Sequence, residues 1–211
     1  MKNVILFDND GVLVETELWY FRANEKAMKE LGVTLELEYY LELMKHGGNW
    51  WELALERGVT LEEVNRARER RSLYYQHYLR TEDIYIDGVE EVIQELAPSY
   101  RMGIVTTSRR ADFEIIHHAQ KLTRHMECIL CEEDYPRAKP YPDPYLKALE
   151  IFGADAHEAI VVEDSQRGLT AAVSAGIECA VVKNHFTASH DFSAATYRID
   201  SLEELKTLLS R

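Results

Sequence analysis

The chain has 211 residues, 46% hydrophobic and 29% charged, with a formal net charge of −13. That length suits one large domain, or a main domain with a smaller insert, around an ordinary core. The negative charge argues against nucleic acid or an anionic membrane as partner, but not against a small anionic substrate, because a bound cation reverses the field locally.

No apolar run approaches the roughly 18 residues of a membrane helix. Between Lys2 and Asp8 stand only five residues, four of them apolar, which does not read as a signal peptide. The expectation is a soluble, cytoplasmic protein, with a monomer as the default. Cys128 and Cys131 form C-I-L-C, but no second C-x-x-C exists and the intervening residues are apolar. They read as structural thiols in a buried strand.

In chain order, the first strand candidate is Val4–Phe7, which runs straight into Asp8-Asn9-Asp10-Gly11. From Thr16 to Arg80 only helical pattern follows, as in ELWYFRANEKAMKELG and LEEVNRARERRSLYYQHYLR. About 65 residues without a strand is too long for a crossover, so this segment reads as an inserted helical domain. The expected division is a core of 1–14 and 84–211 with a helical insert of 15–83. The two joins should lie together and can act as a hinge.

Beyond the insert, helix Val89–Ala97 precedes strand Met102–Thr106, and helix Ala111–Leu122 precedes strand Cys128–Cys131. Helix Pro144–Phe152, strand Ala159–Glu163, helix Gly168–Ala175 and strand Cys179–Val182 complete the pattern. Apolar runs of four to six residues suggest strands covered on both faces, and their alternation with helices predicts an α/β fold, a Rossmann-like parallel sheet. Pro98 and Gly153 sit just past two helix ends, as stop signals do.

In open parallel sheets the working residues collect beyond the carboxyl ends of the strands. Those ends carry Asp8 and Asp10, then Thr106-Thr107-Ser108, then RAKPYPDPY with Lys139, then Glu163-Asp164. Four acids, a hydroxyl and a lysine would converge on one edge. Clustered carboxylates without histidine or cysteine suit a hard cation, foremost Mg²⁺, and magnesium suits a phosphate. Lys139 offers a point charge to a phosphoryl group and Thr106 a donor. One carboxylate can act as nucleophile and another as general acid and base. The residues read as magnesium-assisted phosphoryl transfer.

The D-x-D-G-V-L opening, the strand ending in Thr106, K-P-x-P-D-P-Y at Lys139–Tyr145 and E-D-S-x-x-G at Glu163–Gly168 resemble the haloacid dehalogenase superfamily. The insert position resembles its subgroup with a helical cap after the first motif. The resemblance implies that Asp8 is the nucleophile and a Mg²⁺ ligand. It makes Asp10 the general acid and base, whose carbonyl also reaches the metal. Thr106 and Lys139 would hold the phosphoryl group, Lys139 also balancing Asp8. Glu163 and Asp164 would complete the metal site, Asp164 as the direct ligand. Thr107 and Ser108 are further phosphate candidates. An acid at position 10 implies a phosphatase or phosphomutase rather than a dehalogenase.

Within the insert, Lys45-His46-Gly47-Gly48-Asn49 resembles the position of the subgroup's specificity loop, so Lys45, His46 and Asn49 are candidates to contact a small phosphorylated metabolite, with Thr16 beside them. The runner-up is a β-phosphoglucomutase-like mutase, since F-R-A at Phe21–Ala23 is similar. That group carries a histidine where Tyr20 stands and an arginine near Asn49. A non-catalytic binding protein on the same scaffold would be expected to have lost Asp8, Asp10 or Lys139, and all three are present. Trp50, Trp51, Tyr74, Tyr75 and Tyr78 read as core of the insert, and Glu62–Arg71 as a solvated helix face. His117, His118 and His125 lie away from every motif and read as structural or exposed.

Overall fold

The computed structural model describes residues 2–118 and 121–210, the side chain of His46 excepted. The first strand, β1 (Val4–Phe7), is buried along its whole length. Ile5 and Phe7 enter one apolar cluster with Ile93, Ile104 and Phe113, whereas Val4 and Leu6 enter another with Leu149, Phe152 and Val161. Successive strand residues face opposite ways, so an unbroken apolar run demands cover on both faces.

After β1 the chain turns tightly, the Asn9 carbonyl accepting the amides of Leu13 at 2.8 Å and Val14 at 3.1 Å. Val14 then bridges Tyr85, so the points where the chain leaves and re-enters the sheet unit are adjacent. The chain divides into two compact units. One comprises the chain up to Glu15 and from Tyr85 onward, and the other is Thr16–Ile84.

The helical unit contains α1 (Glu17–Glu30), α2 (Leu37–His46), α3 (Glu52–Glu56) and α4 (Leu61–Thr81). A capping box starts α4: the Thr60 hydroxyl accepts the Glu63 amide, and the Glu63 carboxylate accepts the Thr60 amide. Phe21, Met28, Tyr40, Trp51, Val64 and Ala67 form its core, with Trp50 and Tyr74 packed against them. Most of the Glu62–Arg71 run faces water, where Arg66 pairs with Glu62 and Arg70 with Glu30.

The sheet unit resumes with α5 (Val89–Leu96), β2 (Arg101–Val105), α6 (Arg110–Ile116), β3 (Met126–Leu130) and α7 (Asp143–Phe152). It ends with β4 (Ala159–Glu163), α8 (Gln166–Ser174), β5 (Glu178–Val182), β6 (Tyr197–Ile199) and α9 (Glu204–Leu209). The six strands are parallel in the order β3-β2-β1-β4-β5-β6, which puts β1 between β2 and β4. The edge strand β6 is absent from the apolar-run pattern because Tyr-Arg-Ile alternates and pairs on one side only. The helix expected to reach Leu122 stops at Ile116, with His117 as its capping residue and a 3₁₀ turn at Leu122–His125.

All three cysteines are buried and free. Burial pushes the Cys128 thiol up to about 11 and Cys131 up to about 12, as expected of structural thiols. No helix among the described residues is long and apolar enough to cross a membrane.

Tyr40 is fully buried against Phe21 and Trp50, at ring distances of 5.2 and 4.8 Å, and its hydroxyl has no partner among the described residues. A buried hydroxyl without a hydrogen bond costs stability while its ring contributes packing. Tyr40→Phe is therefore expected to raise the unfolding free energy by about 1 kcal/mol. Urea titration of the two proteins checks this.

Candidate active site

Phe7 stands opposite Ile104 on β2 and Val162 on β4. The next residue along each strand, Asp8, Val105 and Glu163, therefore lies at one level at the carboxyl edge of the sheet. Lys139, on the loop between β3 and α7, is only 4% exposed. Its Nζ donates to Asp8 Oδ1 at 2.8 Å, to the Val105 carbonyl at 2.8 Å and to Glu163 Oε1 at 2.6 Å. An ammonium has three donors, and all are used. A phosphoryl group nearby would meet Lys139 as a charge rather than as a free donor.

Glu163 is fully buried, and both its oxygens are engaged. Oε1 also accepts the Tyr145 hydroxyl at 2.8 Å, while Oε2 accepts the Asp164 and Ser165 amides at 3.2 Å and the Ser165 hydroxyl at 3.0 Å. Ser165 Oγ in turn accepts the Gly168 amide and caps α8. Burial alone would raise the Glu163 acid, but Lys139 outweighs it and holds the carboxyl below its ordinary value. Burial works against the Lys139 ammonium, yet Asp8 and Glu163 hold it above its ordinary range. Burial and the Glu163 charge push Asp8 up to about 7 despite the pull of Lys139.

Asp10 faces the segment after β2. Its Oδ2 accepts the Ser108 hydroxyl at 2.7 Å and lies 3.3 Å from Thr106 Oγ1, which itself accepts the Ser108 amide at 3.0 Å. Thr106 is buried, and its carbonyl accepts the Tyr135 hydroxyl at 2.6 Å. Thr107 is exposed. The expected groups Thr106 and Ser108 thus meet Asp10, while Thr107 turns outward.

Oxygens of Asp8, Glu163 and Asp164 lie within 4.8 Å of one another. Four carboxylates, counting Asp10, share this edge with the single ammonium of Lys139, and all the candidate ligands are hard oxygens. That donor set fits a hard divalent cation. Gly11, at φ +79°, leaves room for the Asp164 carboxylate, since a Cβ there would lie 2.1 Å from Asp164 Oδ2. Because Glu163 is saturated by protein donors, Asp8 and Asp164 are better placed to ligate.

The remaining candidates belong to the helical unit. Thr16 is buried as the N-cap of α1, its carbonyl accepting the Trp19 and Tyr20 amides at 3.0 Å. Asn49 Oδ1 accepts the Trp51 amide at 3.3 Å and the Arg68 guanidinium at 3.5 Å. Lys45 pairs with Glu42. The side chain of His46 lies outside the described residues. Within the sheet unit, Tyr145 and Ser165 stood inside quoted motifs without an assigned role, and the structure places both on Glu163. His117 requires a correction. It is buried, and its Nε2 lies 2.6 Å from Oδ1 of Asn9, between the two aspartates of the first motif. The two residues are 108 positions apart, and no spacing rule joins them.

Residues 5–182 match the model of the haloacid dehalogenase-like hydrolases, so the chain belongs to that family and is a phosphoric monoester hydrolase by class. It is similar to the protein CbbY of Rhodobacter capsulatus, 28% identical over 96% of this chain and 95% of the relative. A phosphoglycolate phosphatase of Aquifex aeolicus is 28% identical over 84% of this chain and 83% of its own. Among solved structures, CbbY from Rhodobacter sphaeroides in complex with phosphate superposes with a TM-score of 0.82 at 26% identity, covering 97% of this chain and 96% of that one.

Two outcomes follow from this packing. A Cβ on Gly168 would sit 1.7 Å from Glu163 Oε1, and Glu163 is held too firmly to move aside. Gly168→Ala is expected to cost roughly 2–3 kcal/mol of stability, measured by urea unfolding. For Asp8 the folded acid, near 7, lies above the ordinary 3.8, so the fold disfavours its ionised form. That penalty is absent below about pH 4, grows between about pH 4 and 7, and is constant above. In chelator, Asp8→Asn should exceed the parent in stability at pH 8, by on the order of 2–4 kcal/mol, with the difference vanishing at pH 4. Denaturant midpoints at the two pH values check it.

Proposed function

We propose that the protein is a Mg²⁺-dependent phosphatase of a small phosphorylated metabolite, working through an aspartyl-phosphate on Asp8. The observation that carries this reading is the pairing of a carboxylate oriented by a buried lysine, Asp8, with a second carboxylate, Asp10, held by Ser108. Asp8, with Asp164, would hold the Mg²⁺, which when bound offsets the charge of the carboxylates and of the phosphoryl group.

Lys139 fixes Asp8 Oδ1, so the rotamer of the nucleophile is set before substrate arrives. An Asp8 oxygen forms a bond to phosphorus as the ester P–O bond breaks, and the departing alkoxide takes a proton from Asp10. Asp10 then removes a proton from water, whose oxygen attacks the same phosphorus and releases inorganic phosphate and the free Asp8 carboxylate. The hydroxyls of Ser108 and Thr106 aim Asp10 for both proton transfers. Contacts to the rest of the substrate from Thr16, His46 and Asn49 belong to the same proposal, as do a monomeric state and a cytoplasmic setting. No specific observation favours the mutase: Tyr20, where that group has a histidine, packs edge-on against Tyr75 at 5.0 Å with the Arg71 guanidinium over its ring.

The test is a panel of phosphomonoesters assayed with and without Mg²⁺. Phosphate release is expected to require the metal, to fall at least a thousandfold in Asp8→Asn and to fall by about 10²–10⁴ in Asp10→Asn. Conversion of a sugar 1-phosphate to its 6-phosphate without phosphate release would replace the reading with a mutase.

A further inference from the structure

We infer that His117 and Asn9 form a positioning pair that sets the register of α6 against the catalytic aspartate loop. The inference rests on the phosphatase reading for its kinetic consequence, and on the sheet unit alone for its geometry.

Asn9 separates Asp8 from Asp10. The alternation of β1 continues through it: Ile5 and Phe7 face the cluster that contains Phe113, and Asn9 is the next residue on that side. It is fully buried. An apolar side chain would be the ordinary occupant of such a position. The partner of Asn9 is equally out of place, since His117 is 7% exposed and its ring lies 4.4 Å from that of Phe113. The amide oxygen of Asn9 can only accept, so Nε2 of His117 carries the proton and donates across 2.6 Å. Asn9 Nδ2 has no partner among the described residues, so the pair is not maximally satisfied and its retention costs stability.

The location of the pair explains what that cost secures. The segment entering α6 holds Thr106 and Ser108, whose hydroxyls meet Asp10 Oδ2. His117 closes the other end of the same helix. Seven helical residues span about 10 Å, so α6 grips the aspartate loop at both its ends. One grip is on the side chain of Asp10 and the other on the side chain of Asn9, the residue before it. The Asn9 backbone oxygen meanwhile closes the turn through Leu13 and Val14. Sliding or rotation of α6 would have to break the His117 bond before Ser108 and Thr106 could drift from Asp10. The bond therefore holds the acid–base group and its hydroxyl partners in one arrangement.

The experiment uses the full chain with Mg²⁺ and its best phosphomonoester, and compares His117→Leu, His117→Gln and Asn9→Leu/His117→Leu. Glutamine keeps a side-chain N–H donor near the place of Nε2. His117→Leu is expected to lower kcat at least tenfold with KM within twofold, and His117→Gln to recover most of the loss. The double variant should be no slower than His117→Leu, as for two residues that act as one unit. In parallel, the backbone amide resonances of Thr106 and Ser108 should move in His117→Leu and return in His117→Gln. A kcat within twofold of the parent in folded His117→Leu, or a loss that glutamine does not recover, would overturn the inference by reducing His117 to packing. If His117→Leu does not fold, Asn9→Leu takes its place, with Asn9→Asp, which keeps the acceptor oxygen, as the variant expected to recover the loss. If the parent releases no phosphate from any ester, the phosphatase reading fails by itself. The Thr106 and Ser108 resonances then decide the positioning pair, which stands if they move and return and falls if they do not.

Discussion

The buried ammonium of Lys139 is the constraint on which the sheet unit is organised. It draws its three acceptors from the ends of β1, β2 and β4, so one side chain ties together three adjacent strands at the edge where the chemistry lies. A charge taken out of water is costly unless all its donors are met and opposite charge is close. Both conditions hold here, and Asp8 and Glu163 are thereby held at one level. Removing Lys139 would leave two buried carboxylates uncompensated, so structural and chemical demands on it coincide.

Excess negative charge is the other organising fact. Lys139 neutralises only part of a set that includes Asp8, Asp10, Glu163 and Asp164, and the rise of Asp8 to about 7 reflects its burial first and that imbalance second. Glu163 escapes it because lysine, tyrosine, serine and two amides saturate its oxygens. Two carboxylates adjacent in sequence thus differ in their surroundings. Glu163 anchors the lysine, while Asp164 packs against Gly11, where a Cβ would collide with it. The relatives, among them CbbY and a phosphoglycolate phosphatase, match across most of the chain.

Strand periodicity explains how a single short loop serves two purposes. Side chains of even number near the end of β1 reach the catalytic edge or the Leu149 cluster, and those of odd number reach the Phe113 cluster. Asp8 and Asp10 therefore fall on one side while Asn9, between them, engages His117 on the other. Glycines at 11 and 168 supply the close approach that carboxylates at 164 and 163 need.

Much of this was legible from residue order alone. Unbroken apolar runs such as Val4–Phe7 and Ala159–Glu163 announce strands covered on both faces, and a parallel sheet follows because local periodicity reflects burial. Acids and hydroxyls at the ends of those runs, with Lys139 in its proline-rich turn, indicate where the site lies, because a parallel sheet carries all such ends to one edge. The strand Tyr197–Ile199 was not legible, since a three-residue alternating edge strand depends on its neighbour rather than on its own pattern. Nor were the partners of Glu163 and Asn9. Which donors saturate a carboxylate, and which histidine meets an asparagine 108 residues away, are decided by packing between distant elements. The sequence by itself determined the fold class and the chemical character of the site, because both are written in local pattern and residue type. Only the tertiary structure decided how those groups divide the work, because hydrogen-bond partners and burial are properties of the assembled core.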